Sequence, residues 1–116
     1  MQVLHRTDAT ELMCTGVDAL RRAFGAAWEM VALVLTVLFN AANLAEVAKM
    51  ACVQLRRVAG ATREIVQFVV QHGCAEIAFQ GIDSSAAAVK TDEQGMFQRI
   101  RLIVIDSIIV TAPIPA

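Results

Sequence analysis

Between Asp8 and Phe24 the apolar positions Leu12, Met13, Val17, Leu20 and Phe24 recur on one side of a helical projection, opposite Glu11, Thr15, Asp18 and Arg22. Asp8 with Glu11 three positions on has capping-box spacing with Asp as the cap, and Gly25 stands where a helix stop belongs. From Ala26 to Phe39 the polar face disappears, and the stretch Gly25 to Asn43 holds a single charged residue, Glu29. A third helical run opens at Asn43, again with Glu three positions on, and continues to Ala59. It sets Leu44, Val47, Ala51, Leu55 and Val58 inward and Glu46, Lys49, Arg56 and Arg57 outward, until Gly60 interrupts it. A fourth run, Thr62 to His72, sets Ile65, Val66, Phe68 and Val69 against Glu64, Gln67 and Gln71, with Gly73 at the C-cap position.

Beyond Gly73 the period changes to two. AEIAFQGI, SAAAVKT and MFQRIRLIVI, separated by the turn-rich IDSS and TDEQG, read as short strands of a meander. In the third of these Ile100, Leu102 and Val104 share one face and Arg99 and Arg101 the other, and IIVTA adds an edge strand before Pro113 and Pro115. MQVLHR reads as an additional strand. Helices first and strands after predict an α+β fold in one domain, residues 1–116, with about four N-terminal helical segments packed on a C-terminal antiparallel β-meander.

Composition adds a constraint. Hydrophobic residues are 57% and charged residues 18% of the chain, so apolar surface exceeds what a typical domain of this size hides. The net charge of -1 leaves no global basic field to recruit phosphate backbones, which argues against nucleic-acid binding. Cys14, Cys52 and Cys74 are odd in number and set among apolar residues, which fits a reducing cytoplasm better than a disulfide framework. The N-terminal MQVLHRTDATEL lacks the order of a signal peptide. A membrane span needs about 20 apolar residues, about twice the run from Met30 to Phe39, and including Glu29, Asn40 and Asn43 brings the insertion free energy near zero. Amphipathic neighbours in need of a partner favour a core helix over a membrane one.

Three segments in this order, DALRRAFGAAWEMVALVL, GATREIVQFV and DEQGMFQRIRLIV, resemble the SnoaL-like and ketosteroid-isomerase-like branch of the nuclear-transport-factor-two-like fold. That resemblance implies two helices, a glycine-led helix and a curved sheet. Asp92, Glu93, Gly95, Ile100, Arg101 and Val104 match the family's closing hairpin of acidic turn, glycine and alternating strand. NLAEVAKMACVQLRRVA stands where the family has a strand, and the chain has no Tyr and no matching catalytic Asp. The resemblance therefore implies a pocket for a small apolar ligand and not the family's catalytic residues.

Among chemistry-bearing residues, His72 and Cys74 form an H-x-C pair, better read as a helix end than as metal ligands. Cys14 and Cys52 fall on apolar helical faces and read as inert core. Glu29 beside Trp28 is the candidate acid or base, because apolar surroundings raise a carboxyl pKa, although a place on the rim at the helix start is the blander reading. Trp28, Phe79 and Phe97 are the candidate ligand-binding wall beside it. The arginines Arg21, Arg22, Arg56, Arg57, Arg63, Arg99 and Arg101 read mainly as solvated or helix-end charge. No phosphate loop, paired zinc motif or nucleophile elbow is present, so no cofactor and no metal is implied.

The leading expectation is a self-associating cytoplasmic domain, a dimer through the sheet face or the third helix, because excess apolar surface on a small chain calls for an interface. The alternative is a SnoaL-like binder or enzyme using Glu29. A sequence this free of motifs also fits an engineered or generated origin, although three Cys and five Met are unlike an idealised design.

Overall fold

The structure, a computed structural model, describes residues 1–60, 65–83 and 93–111. The chain runs β1 (Gln2–His5), α1 (Asp8–Met13), α2 (Val17–Phe24), a 3-10 turn (Gly25–Ala27), α3 (Trp28–Asn40), α4 (Leu44–Lys49), β2 (Gln54–Gly60), β3 (Ile65–His72), β4 (Ala75–Ile82), α5 (Glu93–Arg99) and β5 (Leu102–Val110). The strands form one sheet in the order β1-β5-β4-β3-β2. The expected α+β class holds, with four helices in the N-terminal half and a mostly antiparallel sheet drawn mainly from the C-terminal half. MQVLHR does supply a strand, but β1 lies parallel to β5, which makes the sheet mixed.

β1 and β2 occupy opposite edges of the sheet, so α1 to α4 must carry the chain across the full width, about 19 Å at four strand spacings. α3 makes most of that crossing, packing over β1, β3 and β4. Val31, Val34, Leu35, Val37 and Leu38 on its inner side are buried with Val66, Phe68 and Val70 of β3, Ile77 and Phe79 of β4, and Ile103 and Ile105 of β5.

Local chemistry sets the helix ends. Thr7 rather than Asp8 caps α1, its Oγ1 accepting from the Thr10 N–H at 3.2 Å, which leaves Asp8 in the first turn where the dipole favours it. Gly25 ends α2 at φ 58°, a conformation open to glycine. Asn43 caps α4 by accepting from the Glu46 N–H at 3.2 Å, while Glu46 Oε2 accepts from the Ala42 N–H at 2.7 Å.

Four expectations are corrected. The helical run from Asp8 to Phe24 is not continuous and breaks between Met13 and Val17 into α1 and α2. The run Asn43 to Ala59 is helical only to Lys49, and Gln54–Gly60 is strand β2. The run Thr62 to His72 is no helix where it is described, since Ile65–His72 is strand β3 and alternate residues Val66, Phe68 and Val70 fill the core. Ile65, Val66, Val69 and Val70 are β-branched, and this outweighs a helical spacing that a run of apolar residues satisfies by chance. Gly73 is accordingly not a helix cap. It opens the two-residue turn Gly73-Cys74 at φ 58° with no positive φ at Cys74, the arrangement of a type II′ hairpin. Finally, MFQR belongs to α5, and β5 turns Ile103 and Ile105 inward rather than Leu102 and Val104. A bulge opposite Ala78 and Phe79 then shifts the phase, so that Ile108 and Val110 return to the core and IIV continues β5 instead of making a separate edge. The expected SAAAVKT strand, Asp92, Arg63, Pro113 and Pro115 lie outside the described residues.

Two contacts fasten α5 to the sheet. A Cβ at Gly81 would stand 2.9 Å from Phe68 Cε2 and 3.1 Å from Ile100 Cδ1, so the bare backbone of β4 is what admits Ile100. Asp83, 1% exposed at the end of β4, is met by Arg99 through Nε at 3.0 Å and a second nitrogen at 2.6 Å, a bidentate pair that compensates a buried carboxylate. Urea denaturation should show Gly81→Ala destabilised by about 1–3 kcal/mol through overpacking. Arg99→Leu, which strands the Asp83 carboxylate, should lose about 3–5 kcal/mol.

Candidate functional site

The four residues singled out from the sequence fall into two groups. Phe79 is buried and stacks on Phe68 at 5.6 Å between ring centroids, and Phe97 of α5 meets the same Phe68 edge-on at 5.6 Å. Phe68 thus touches both rings. Trp28 and Glu29 sit at the start of α3, where Trp28 is half-buried beneath the Arg21 guanidinium, 4.8 Å from its ring, and Glu29 is exposed. The first turn of a helix is a favourable place for a carboxylate whatever its function. Open grooves lie elsewhere along α1 and α2, about 440 Å³ beside Thr15, Asp18 and Arg22 and about 340 Å³ beside Leu12, Met13 and Ala23.

The cysteines are free thiols. Cys14 is half-buried, and burial pushes its thiol pKa up, in keeping with an inert role. Cys52 is exposed in the bend between α4 and β2, a correction that follows from the early end of that helix. Its carbonyl accepts from His72 Nδ1 at 2.7 Å, and Cys74 Sγ donates to Met30 Sδ at 3.4 Å. Among the described residues no cluster of three His, Cys, Asp or Glu side chains could hold a metal ion.

The apolar stretch of the sequence proves one-sided. The helical path Val17–Asn40 is long and apolar enough to cross a membrane by length and composition, and 22% of its most apolar window is buried. α3 lies in the core along one stripe, while Met30 and Phe39 on its flanks are 37% and 49% exposed. α3 thus covers the sheet with one side and leaves its other positions outside the buried core.

The larger unassigned surface is the sheet face turned away from the helices. Cross-strand register places Leu4 of β1, Leu102, Val104 and Ile109 of β5, Ala78 and Ile82 of β4 and Val69 of β3 on this face, and Val58 falls in the register shift of β2 between Arg57 and Gly60. None of them belongs to the buried core or packs against it, and Leu4, Ile109 and Val58 are 44%, 52% and 53% exposed. Among them stand Gln67 opposite Gln80, Gln71 opposite Glu76, and Arg56, whose guanidinium lies 3.8 Å from Glu76. A solvated antiparallel face is normally polar. This one is a mosaic in which Gln2, Gln54 and Ser107 add to those polar groups and aliphatic side chains stand between them.

The expected sheet-face interface came without named residues, although LIVI at Leu102 to Ile105 carried the signal, since contiguous apolar residues in a strand imply cover on both sides. Asp83, read as part of a turn, and Met30, read as core, were also passed over. Exchanging the exposed Glu29 for Gln should change unfolding free energy by no more than about 0.5 kcal/mol in thermal melts, whereas a carboxyl confined among apolar groups would show a clear gain. No protein-family model, no curated protein and no solved structure matches this chain.

Proposed function

We propose that this chain is a self-associating domain that pairs with a second copy of itself, sheet face to sheet face, in a reducing cytoplasmic setting. The observation carrying the reading is the aliphatic mosaic on the open face, with Val69, Val104 and Ile109 outside the core. Its size is adequate: five strands at about 4.8 Å spacing and about seven residues each at about 3.3 Å span roughly 550 Å² per copy. Two copies would bury upward of about 1,100 Å², close to the lower bound for a specific interface.

Charge does not oppose the pairing. Arg56 and Glu76 lie against each other within one copy, so a second copy meets a neutral face. A two-fold arrangement would set the Gln67–Gln80 strip against its own counterpart, and amides that both donate and accept are self-complementary. Three free cysteines support the reducing setting. α4 is a poorer interface, because Leu44, Ala45 and Val47 are buried within the chain. The SnoaL-like ligand-binding alternative has less support, with Glu29 in solvent and Phe79 packed on Phe68.

Sedimentation velocity at micromolar concentration should give a dimer for the parent chain. Val69→Glu places a carboxylate directly opposite Arg56, so the single chain tolerates it, yet it buries charge in the interface. That variant and Ile109→Lys should sediment as monomers with circular dichroism unchanged. A parent chain that is monomeric, or variants that still dimerise, would overturn the reading.

A further inference from the structure

We propose that the outer edge of β2 is a docking site for an acidic polypeptide segment in extended conformation, which joins the sheet as an added strand. The strand order places β2 at one end of the sheet, and among the described residues no strand pairs with its outer side. An edge strand presents a row of backbone N–H and C=O groups without partners, a template for a further strand. β2 is the longer of the two edges, Gln54–Gly60 against Gln2–His5, and the regular part of its pairing with β3 runs from Gln54 to Arg57 before the register shifts. Gln54, Arg56 and Arg57 in this stretch are exposed, and only Leu55 leans on the core. The strand contains no proline, so no backbone donor is missing from it.

Charge selects the occupant. β2 carries Arg56 and Arg57 and no acidic residue. Successive strand residues point to opposite faces, so one guanidinium lies on each side of the edge, Arg56 toward the open face and Arg57, opposite Phe68, toward the helices. Glu76 stands 3.8 Å from Arg56, whose side chain stays 61% exposed, and among the described residues no carboxylate pairs with Arg57. Lys49, exposed in the last turn of α4, adds a third cation on the helical side, because α4 packs on β2. A second copy of β2 is the wrong partner, since pairing antiparallel about the doublet would set arginine opposite arginine. A segment with two adjacent carboxylates at its centre instead places one on each face, each opposite a guanidinium, while its backbone extends the ladder. The same doublet thus shields the edge from self-addition and admits an acidic strand.

The test is fluorescence anisotropy of the full chain with a labelled peptide of threonine and valine carrying two adjacent glutamates at its centre. Saturable binding is expected, weakened by added salt, and reduced about tenfold or more in Arg57→Glu and by less in Arg56→Gln, whose charge Glu76 already shares. The same peptide with lysines for glutamates should not bind, nor should the acidic peptide N-methylated at its central residues, which keeps the charge and removes the backbone donors. Both arginines are exposed, so circular dichroism of the variants should match the parent. Absence of binding by the parent, equal binding of the lysine or N-methylated peptide, or full affinity in Arg57→Glu would overturn the site. Ile109→Lys lies on the open face of β5, three strands from this edge, and should bind the peptide as the parent does. Loss of binding there would put the peptide on the sheet face and overturn the edge, so this comparison keeps the result apart from whether two copies pair.

Discussion

The packing of α3 across one side of a five-stranded sheet is the interaction on which the rest of this molecule depends. With β1 at one edge and β2 at the other, the chain between them has to traverse the sheet, and the helical path that does so stays on a single side. Val31, Val34 and Leu38 of α3 close over Phe68 and Phe79. The remaining connection that carries a helix, between β4 and β5, returns to that side, with α5 packed on α4 and its Phe97 against Phe68. The hairpin joining β3 to β4 is too short to contribute cover.

One-sided cover has two consequences. The inner face becomes a filled aromatic and aliphatic core in which Gly81 is bare so that Ile100 can enter, and in which the only charged group among the described buried residues, Asp83, is neutralised by Arg99. The outer face keeps aliphatic side chains that a solvated sheet would exchange for polar ones. The 57% hydrophobic content of the chain therefore divides between a core that is satisfied and a surface that is not. In the proposed dimer a second copy would offer the same surface and cover it.

Strict alternation made AEIAFQGI legible, and β4 runs over that same stretch. Glycine was legible as punctuation at Gly25 and Gly73, though at Gly73 the element it ended was mistaken. The mistake at IVQFVV has a physical origin: its apolar residues satisfy a helical and a strand projection equally, and only partners distant in sequence, α3 on one side and β2 and β4 on the other, decide between them. The phase of β5 was lost for a similar reason, because apolar residues occupy both faces and a bulge resets the alternation. The Asp83–Arg99 pair and the Met30–Cys74 contact join residues that no local pattern connects. Of the proposed wall, adjacency explains why Trp28 and Glu29 stay together, and the fold alone explains why Phe79 and Phe97 meet at Phe68.

The central claim is that a second copy covers the open sheet face. It is tested most directly by mapping methyl groups against a water-soluble paramagnetic relaxation agent in concentrated solution. The account predicts that the methyls of Val69, Ala78, Val104 and Ile109 are shielded despite lying outside the single-chain core, while those of Leu12 and Met30 on the helical side are relaxed. Strong relaxation of the sheet-face methyls, equal to that of Leu12, would contradict it.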